Sequence, residues 1–297
     1  MSQRYGVPYK GSKRAIAEWV VGNLPCAEVL VDLFCGGCAV THAALLSGKW
    51  KRIVANDIHS DGPKLFVEAV QGRHTTETHP VWISREDFFR LKDIDAYVRL
   101  CWSFGNDGES YLYSKELEPL KKHLHALIFG KTIRERMTAW RAFVKAYTTA
   151  YTEINPQRLR SLQNLEHLQR LERLQRLERL QSLEIVCEDY RQVRIPNNAI
   201  IYCDIPYNSI KQCYGITFDY DAFYDWAYMQ TAPIIISEYN INDKRFTVLS
   251  ETKKCQLAQG AKAQKQITER LYCPTHQHEM ICTMLKHDAN EQQKLAL

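Results

Sequence analysis

Val31-Asp32-Leu33-Phe34-Cys35-Gly36-Gly37-Cys38-Ala39-Val40 is the stretch from which the fold is read. Glu28–Phe34 is a short apolar run, which predicts a strand feeding the glycine pair. Glycine lets a backbone turn tightly and approach a ligand closely. A helical stretch follows to about Leu46, and Arg52–Ala55 predicts a second strand that ends at Asn56-Asp57. Strand, glycine turn, helix, strand, acid is the order of a nucleotide-binding βαβ unit. An acid at that point can take both hydroxyls of a ribose, although Asp57 could equally cap the next helix.

Working outward, residues 12–23 have helical character. From about 75 to 182 the strand pattern is lost and the chain looks helical. Short apolar strands resume at Ile185–Cys187, Ala199–Cys203 and Pro233–Ser237. One α/β domain interrupted by a helical insertion is therefore expected. Within the insertion, residues 162–185 hold four hexapeptide units, LQNLEH, LQRLER, LQRLER and LQSLEI, with leucine at every third position. Three residues fall about 60° short of an α-helical turn, so these leucines would spiral around an α-helix. A 3₁₀ helix would align them, but such runs are short. Leu, Gln, Arg and Glu favour helix, as do the four-residue spacings Glu166/Arg170 and Glu172/Arg176, so helix is expected. A spacer or partner surface competes with a low-complexity insert, which the composition favours.

The motif closest to chemistry is Ile200-Ile201-Tyr202-Cys203-Asp204-Ile205-Pro206-Tyr207, where a strand ends in an acid, a proline and an aromatic ring. Ligands of open α/β sheets bind at the carboxyl ends of strands. Methylating the exocyclic amine of a base requires acceptors for its two N–H groups, because the nitrogen lone pair is delocalised into the ring. Asp204 and the carbonyl of Ile205 could be those acceptors, Pro206 would stiffen the loop, and Tyr207 could stack on an extruded base. The bland alternative is an ordinary strand-end turn. The single Cys35-x-x-Cys38 offers metal or redox chemistry, but no second CxxC exists and the glycine pair explains the spacing better. Cys273, His276, His278 and Cys282 could in principle hold zinc, but their spacing is not that of a usual finger, so no metal is expected.

The 297 residues are 45% hydrophobic and 25% charged, an ordinary globular composition that disfavours disorder, collagen and coiled coil for the whole chain. The sequence shows neither an apolar leader nor a membrane-length run, so a cytoplasmic protein with reduced cysteines is expected. Net charge is +5, and residues 111–150 hold eight Lys/Arg against three acids, a local excess as large as that of the whole chain. Such a patch suits a polyanion, or is simply a solvated helical face.

Together and in this order, the motifs resemble the Dam-type class (alpha group) of DNA adenine N6-methyltransferases. Tyr9-Lys10-Gly11-Ser12-Lys13 is similar to that family's motif ahead of the cofactor loop, and Cys187-Glu188-Asp189-Tyr190 to the motif that holds the cofactor adenine. Ile236-Ser237 and Lys262 to Tyr272 resemble its later strands, and the resemblance covers 5–75 and 183–275. It implies a class I, Rossmann-like fold with a mostly parallel sheet, formed by 1–75 and 183–297. A helical target-recognition insertion would span 76–182 together with the repeat at 162–185. It implies S-adenosylmethionine as cofactor, contacted by Tyr9, Lys13, Phe34, Cys35, Gly36, Gly37, Asp57, Ile58, Asp189, Tyr190 and Asp204. Asp204, Ile205, Pro206, Tyr207 and Lys13 are the implied catalytic set. Double-stranded DNA is the implied partner, in a restriction-system or phage setting. Two departures stand out: Cys38 replaces a frequent second glycine, and Ile205 replaces a proline. Trp102-Ser103-Phe104-Gly105-Asn106-Asp107-Gly108 with Tyr111-Leu112-Tyr113 would lie in the insertion, reading DNA or forming a hairpin with a local aromatic core. The rival readings are cytosine-N4 methylation, protein glutamine methylation, and a DNA-binding module that has lost catalysis.

Overall fold

The strand that carries the acid-proline-tyrosine motif, Ala199–Cys203, is buried at every residue, as a parallel strand covered on both faces must be. The computed structural model in which this is seen describes residues 5–79, 81–150, 162–176, 180–207, 218–257 and 264–295. The chain divides into two compact units: Met1–Gly6, Ser12–Pro63 and Leu177–Leu297 form one, and Val7–Gly11 with Lys64–Arg176 form the other.

The first unit is built on a seven-stranded sheet. Its strands are β1 (Val29–Asp32), β2 (Arg52–Asn56), β3 (Leu183–Val186), β4 (Ala199–Cys203), β5 (Ile234–Glu238), β6 (Phe246–Leu257) and β7 (Gln264–Pro274). They lie in the order β3-β2-β1-β4-β5-β7-β6. The pairs among β1 to β5 are parallel, whereas β7 runs antiparallel to both β5 and β6. This is a Rossmann-like, mostly parallel sheet whose strand order reverses between β1 and β4, the kind of crevice where α/β folds place ligands. Helices α1 (Ala17–Gly22), α2 (Ala39–Ser47), α9 (Tyr220–Tyr228) and α10 (His278–Leu295) belong to this unit. The predicted helix over 12–23 is shorter than expected and begins at Ala17. From α9, Phe223 and Ala227 enter the core with Val31, Ile201 and Ile236 of the sheet.

Helix α3 (Asp61–Val70) carries the chain into the second unit, whose helices are α4 (Arg85–Leu91), α5 (Ala96–Cys101), α6 (Glu118–Phe129), α7 (Ile133–Ala150) and α8 (Gln163–Glu172). Ser84 and Asp95 cap α4 and α5 by accepting from the amides of Asp87 and Val98. Trp82 stacks on Tyr113 at 5.7 Å and meets Trp102 edge-on at 5.1 Å, which forms an aromatic core. The Trp102–Tyr113 motif is thus hairpin-like. Ser103 and Tyr111 form an antiparallel bridge, and the Leu112 amide donates to the Trp102 carbonyl at 2.8 Å. Trp102, Tyr111 and Tyr113 are buried, the Tyr111 hydroxyl donating to the Ile83 carbonyl and the Tyr113 hydroxyl to Asn164 Oδ1, while Phe104 remains exposed.

The leucine repeat begins as the α-helix α8 and tightens into 3₁₀ turns at Arg173–Arg176 and Leu180–Ser182, before Leu183–Val186 becomes β3. Residues 177–179 lie outside the described set. Leu162, Leu168, Leu171 and Leu174 are all buried. The switch to three residues per turn keeps Leu174 on the apolar side when the leucines would otherwise spiral outward.

Candidate active site

Backbone hydrogen bonds fix the glycine turn between two strand ends. The Leu33 amide donates to the Tyr202 carbonyl at 2.9 Å, and the Cys35 amide to the Asn56 carbonyl at 2.8 Å. Asn56, fully buried, donates from its side chain to the carbonyls of Leu33 and Glu188 at 3.0 and 3.1 Å. It also accepts from the Glu188 amide at 2.9 Å. One amide side chain thereby ties the turn after β1 to the loop after β3. Gly36 has φ 48° and Cys38 has φ 55°, so both occupy the left-handed region. Glycine does so freely, whereas a residue with a Cβ is strained there by roughly 1 kcal/mol or more. Cys38 therefore holds a backbone conformation that favours glycine.

Asp57 directly follows β2 and is nearly buried. Its Oδ2 accepts from the Gly36 amide at 2.8 Å and its Oδ1 from the His59 amide at 2.9 Å. Burial pushes its carboxyl pKa up, against the pull of these two amides. Gly62, a residue the sequence reading passed over, packs against the same turn. A Cβ at Gly62 would lie 2.0 Å from the Gly36 carbonyl oxygen. At the end of β1, Asp32 accepts from the Thr41 amide at 3.1 Å and the Thr41 hydroxyl at 2.5 Å. Its other oxygen has no partner among the described residues, and burial pushes the carboxyl up to about 7. Asp32, Asp57 and Asp204 thus place an acid at the carboxyl ends of three adjacent parallel strands.

Beside the turn, the Phe34 ring lies 5.6 Å from that of Tyr190 and 5.7 Å from that of Phe223. Asp189 is held by Arg191 at 2.7 Å, which keeps its carboxyl below the usual range. Ile58 is 56% exposed. The Cys35 and Cys38 sulfurs are 3.8 Å apart and buried, and burial raises both thiols, so they stay protonated.

The catalytic candidates converge beyond β4. Lys13, only 4% exposed, pairs with Asp204 Oδ1 and lies 4.4 Å from the centroid of the Tyr207 ring. The Tyr207 hydroxyl donates to Glu269 Oε1, which also accepts from Ser237 Oγ at 3.3 Å and lies 3.6 Å from Lys13 Nζ. Burial, with Asp204 and Glu269 nearby, pushes the Tyr207 hydroxyl well above its ordinary value, so the ring stays neutral. Tyr239 packs against Tyr207 at 4.3 Å, and Pro206 is exposed, its carbonyl accepting from Tyr220 at 2.8 Å. Glu269 is completely buried on β7 and was not singled out from the sequence. Its signal was alternation: Ile267, Glu269 and Leu271 share one face of a strand, so an acid sits in an apolar row. Tyr9 belongs to the second unit.

The zinc candidate does not assemble. Cys282 Sγ lies 3.7 Å from His278 Nε2, but the His276 ring packs on Tyr228, and no group of three metal-ligating side chains occurs among the described residues. No helix among them is long and apolar enough to cross a membrane. Of the basic residues in 111–150, Lys121 is buried and burial lowers its pKa, so the charged surface rests on the other seven. No curated protein matches the chain. The family model described as D12 class N6 adenine-specific DNA methyltransferase matches residues 9–233.

Proposed function

The chain belongs to the D12 class N6 adenine-specific DNA methyltransferase family and so is an enzyme that methylates adenine in DNA; on that premise we propose a Dam-type enzyme that takes its methyl group from S-adenosylmethionine. The observation that carries this reading is the cluster of Asp204, Tyr207 and Lys13 at the end of β4, next to the β1 turn that holds Gly36 against Asp57.

The residues suit that cofactor. Asp57 is a fixed carboxylate beside a glycine turn, suited to a ribose diol, and the unpartnered oxygen of Asp32 suits a cationic or N–H donor. Gly36, Gly37, Cys35 and Ile58 would line the turn, with Phe34, Tyr190 and Asp189 around the adenine, and Lys13 completing the set. When bound, S-adenosylmethionine supplies an electrophilic methyl carbon on a sulfonium.

Asp204 accepts a hydrogen bond from one N–H of the target adenine and the Ile205 carbonyl from the other, which turns the nitrogen lone pair out of ring conjugation. Asp204 is also the acceptor for the proton that the nitrogen sheds after transfer. Tyr207, held by Glu269, presents its ring to the extruded base, and Pro206 restricts the loop. Positioning and fixed charge supply most of the acceleration. Double-stranded DNA is the proposed substrate form. The exposed Lys122, Lys131, Arg134, Arg141 and Lys145 supply phosphate affinity, with a restriction-system or phage role.

The test is Asp204→Asn assayed with tritiated cofactor and by methylation-aware sequencing of treated DNA. Retained cofactor binding with label transfer reduced roughly a thousandfold or more is expected. Wild-type turnover in that variant, or label on cytosine, overturns the reading.

A further inference from the structure

Lys13 is bound to an oxygen that the proposal above assigns to the adenine amine: its ammonium sits on Asp204 Oδ1. Lys13 is 4% exposed and Glu269 is 0% exposed. An ammonium displaced from Asp204 there has little water to receive it, and a buried charge without a partner is strongly unfavourable. Glu269 Oε1 is 3.6 Å from the Lys13 nitrogen. A move of under about 1 Å would bring that pair to the 2.7–2.9 Å of a charge-assisted hydrogen bond. The same carboxylate already holds the Tyr207 hydroxyl, and the ammonium lies over the Tyr207 ring.

We propose that Glu269 is the alternative partner of Lys13: as the adenine amine takes Asp204, the ammonium passes to Glu269. Glu269 is thus a positioning residue, acting on the base through Lys13 and Tyr207 without touching it. This rests on the base-pocket reading above. With Lys13 on Asp204, Oδ1 is taken and the carboxylate's charge is balanced. With Lys13 on Glu269 that oxygen is open, and the ammonium need not leave the Tyr207 ring to reach water. Capture of the base and opening of its acceptor become one event.

The experiment uses the full chain, with Glu269→Gln, Lys13→Met and the double variant. Gln keeps an acceptor for Tyr207 but removes the charge that would hold Lys13. Base capture is read from the fluorescence of 2-aminopurine placed at the target adenine, with S-adenosylhomocysteine present, and methyl transfer is read in single turnovers. We expect Glu269→Gln to weaken capture by roughly tenfold or more in the presence of Lys13. In the Lys13→Met background the same change should cost less than about twofold, because the two residues act as a pair. An equal loss in both backgrounds makes Glu269 a mere support for Tyr207 and overturns the proposal, as does unchanged capture in Glu269→Gln. Should the single Gln variant fail to fold, the double variant, with no buried ammonium left to satisfy, must capture the base as Lys13→Met does; a tenfold weaker capture there overturns it. Asp204→Asn separates the two readings. Full activity in that variant sinks the base pocket itself, whereas an inactive Asp204→Asn beside an unimpaired Glu269→Gln sinks only the exchange.

Discussion

Replacing Asp32 by Asn should make the protein more stable, and increasingly so as pH rises. Burial raises the Asp32 carboxyl from 3.8 to about 7, while in the unfolded chain it titrates normally. Between those values the native state holds a proton that the unfolded state has released, so stability falls as pH rises through this window and levels off above it. At about 1.4 kcal/mol for each tenfold, the full cost is about 4 kcal/mol above pH 7, of which roughly a third is already present at pH 5. Asn is close in shape, keeps an acceptor for the Thr41 amide and hydroxyl, and does not titrate. Titrating groups that do not interact with Asp32 cancel in the comparison, and the charges of Asp204 and Asp57 are part of the upward shift itself. The stability gap between variant and wild type should therefore widen by about 3 kcal/mol between pH 5 and pH 8.5. Urea unfolding without cofactor, at several pH values, measures it. A gap that stays constant across that range would show that Asp32 does not carry an upward-shifted carboxyl, and the reasoning from its burial would be refuted.

Gly62→Ala should weaken S-adenosylmethionine binding by roughly tenfold or more, read by calorimetry, because its methyl meets the Gly36 carbonyl at 2.0 Å and must displace the turn; unchanged affinity would mean that the turn adapts freely. Tyr113→Phe leaves the buried Asn164 carbonyl oxygen, now bonded at 2.7 Å, without that donor, at a cost of about 1–3 kcal/mol in thermal unfolding, and no shift would contradict the bond. Asn56→Ala removes three hydrogen bonds of a buried side chain and should cost about 3 kcal/mol together with cofactor affinity, so a variant that melts and binds normally would free that side chain of its linking role.

The parallel half of the sheet was legible in the sequence for a physical reason. Strands such as β4 and β5 are covered on both faces and so read as unbroken apolar runs. The antiparallel pair β6 and β7 mixes polar and apolar residues without a regular period and carries several Lys and Thr, and of it only the later strand is anticipated, by resemblance. Asp57 and Asp204 announced themselves as acids at strand ends. Gly62 could not, because its importance lies in a contact with a turn twenty-six positions earlier that no local pattern records. Asn56 was read only as the neighbour of an acid. Lys121 was counted as surface charge, although it stands beside Leu117, Leu120 and Leu124 on an apolar helical stripe, and helical spacing was the cue.

The tightening of the leucine repeat bears on how this chain can vary in length. In a 3₁₀ segment such as Arg173–Arg176, six residues complete two turns and advance the chain by about 12 Å. Gain or loss of six residues within such a 3₁₀ segment would then lengthen or shorten it in whole turns, returning its leucines to the same azimuth. Insertions of four or five residues would rotate the row out of its apolar bed. Alleles with different numbers of complete hexapeptides should therefore melt alike, while a single extra glutamine between units should not.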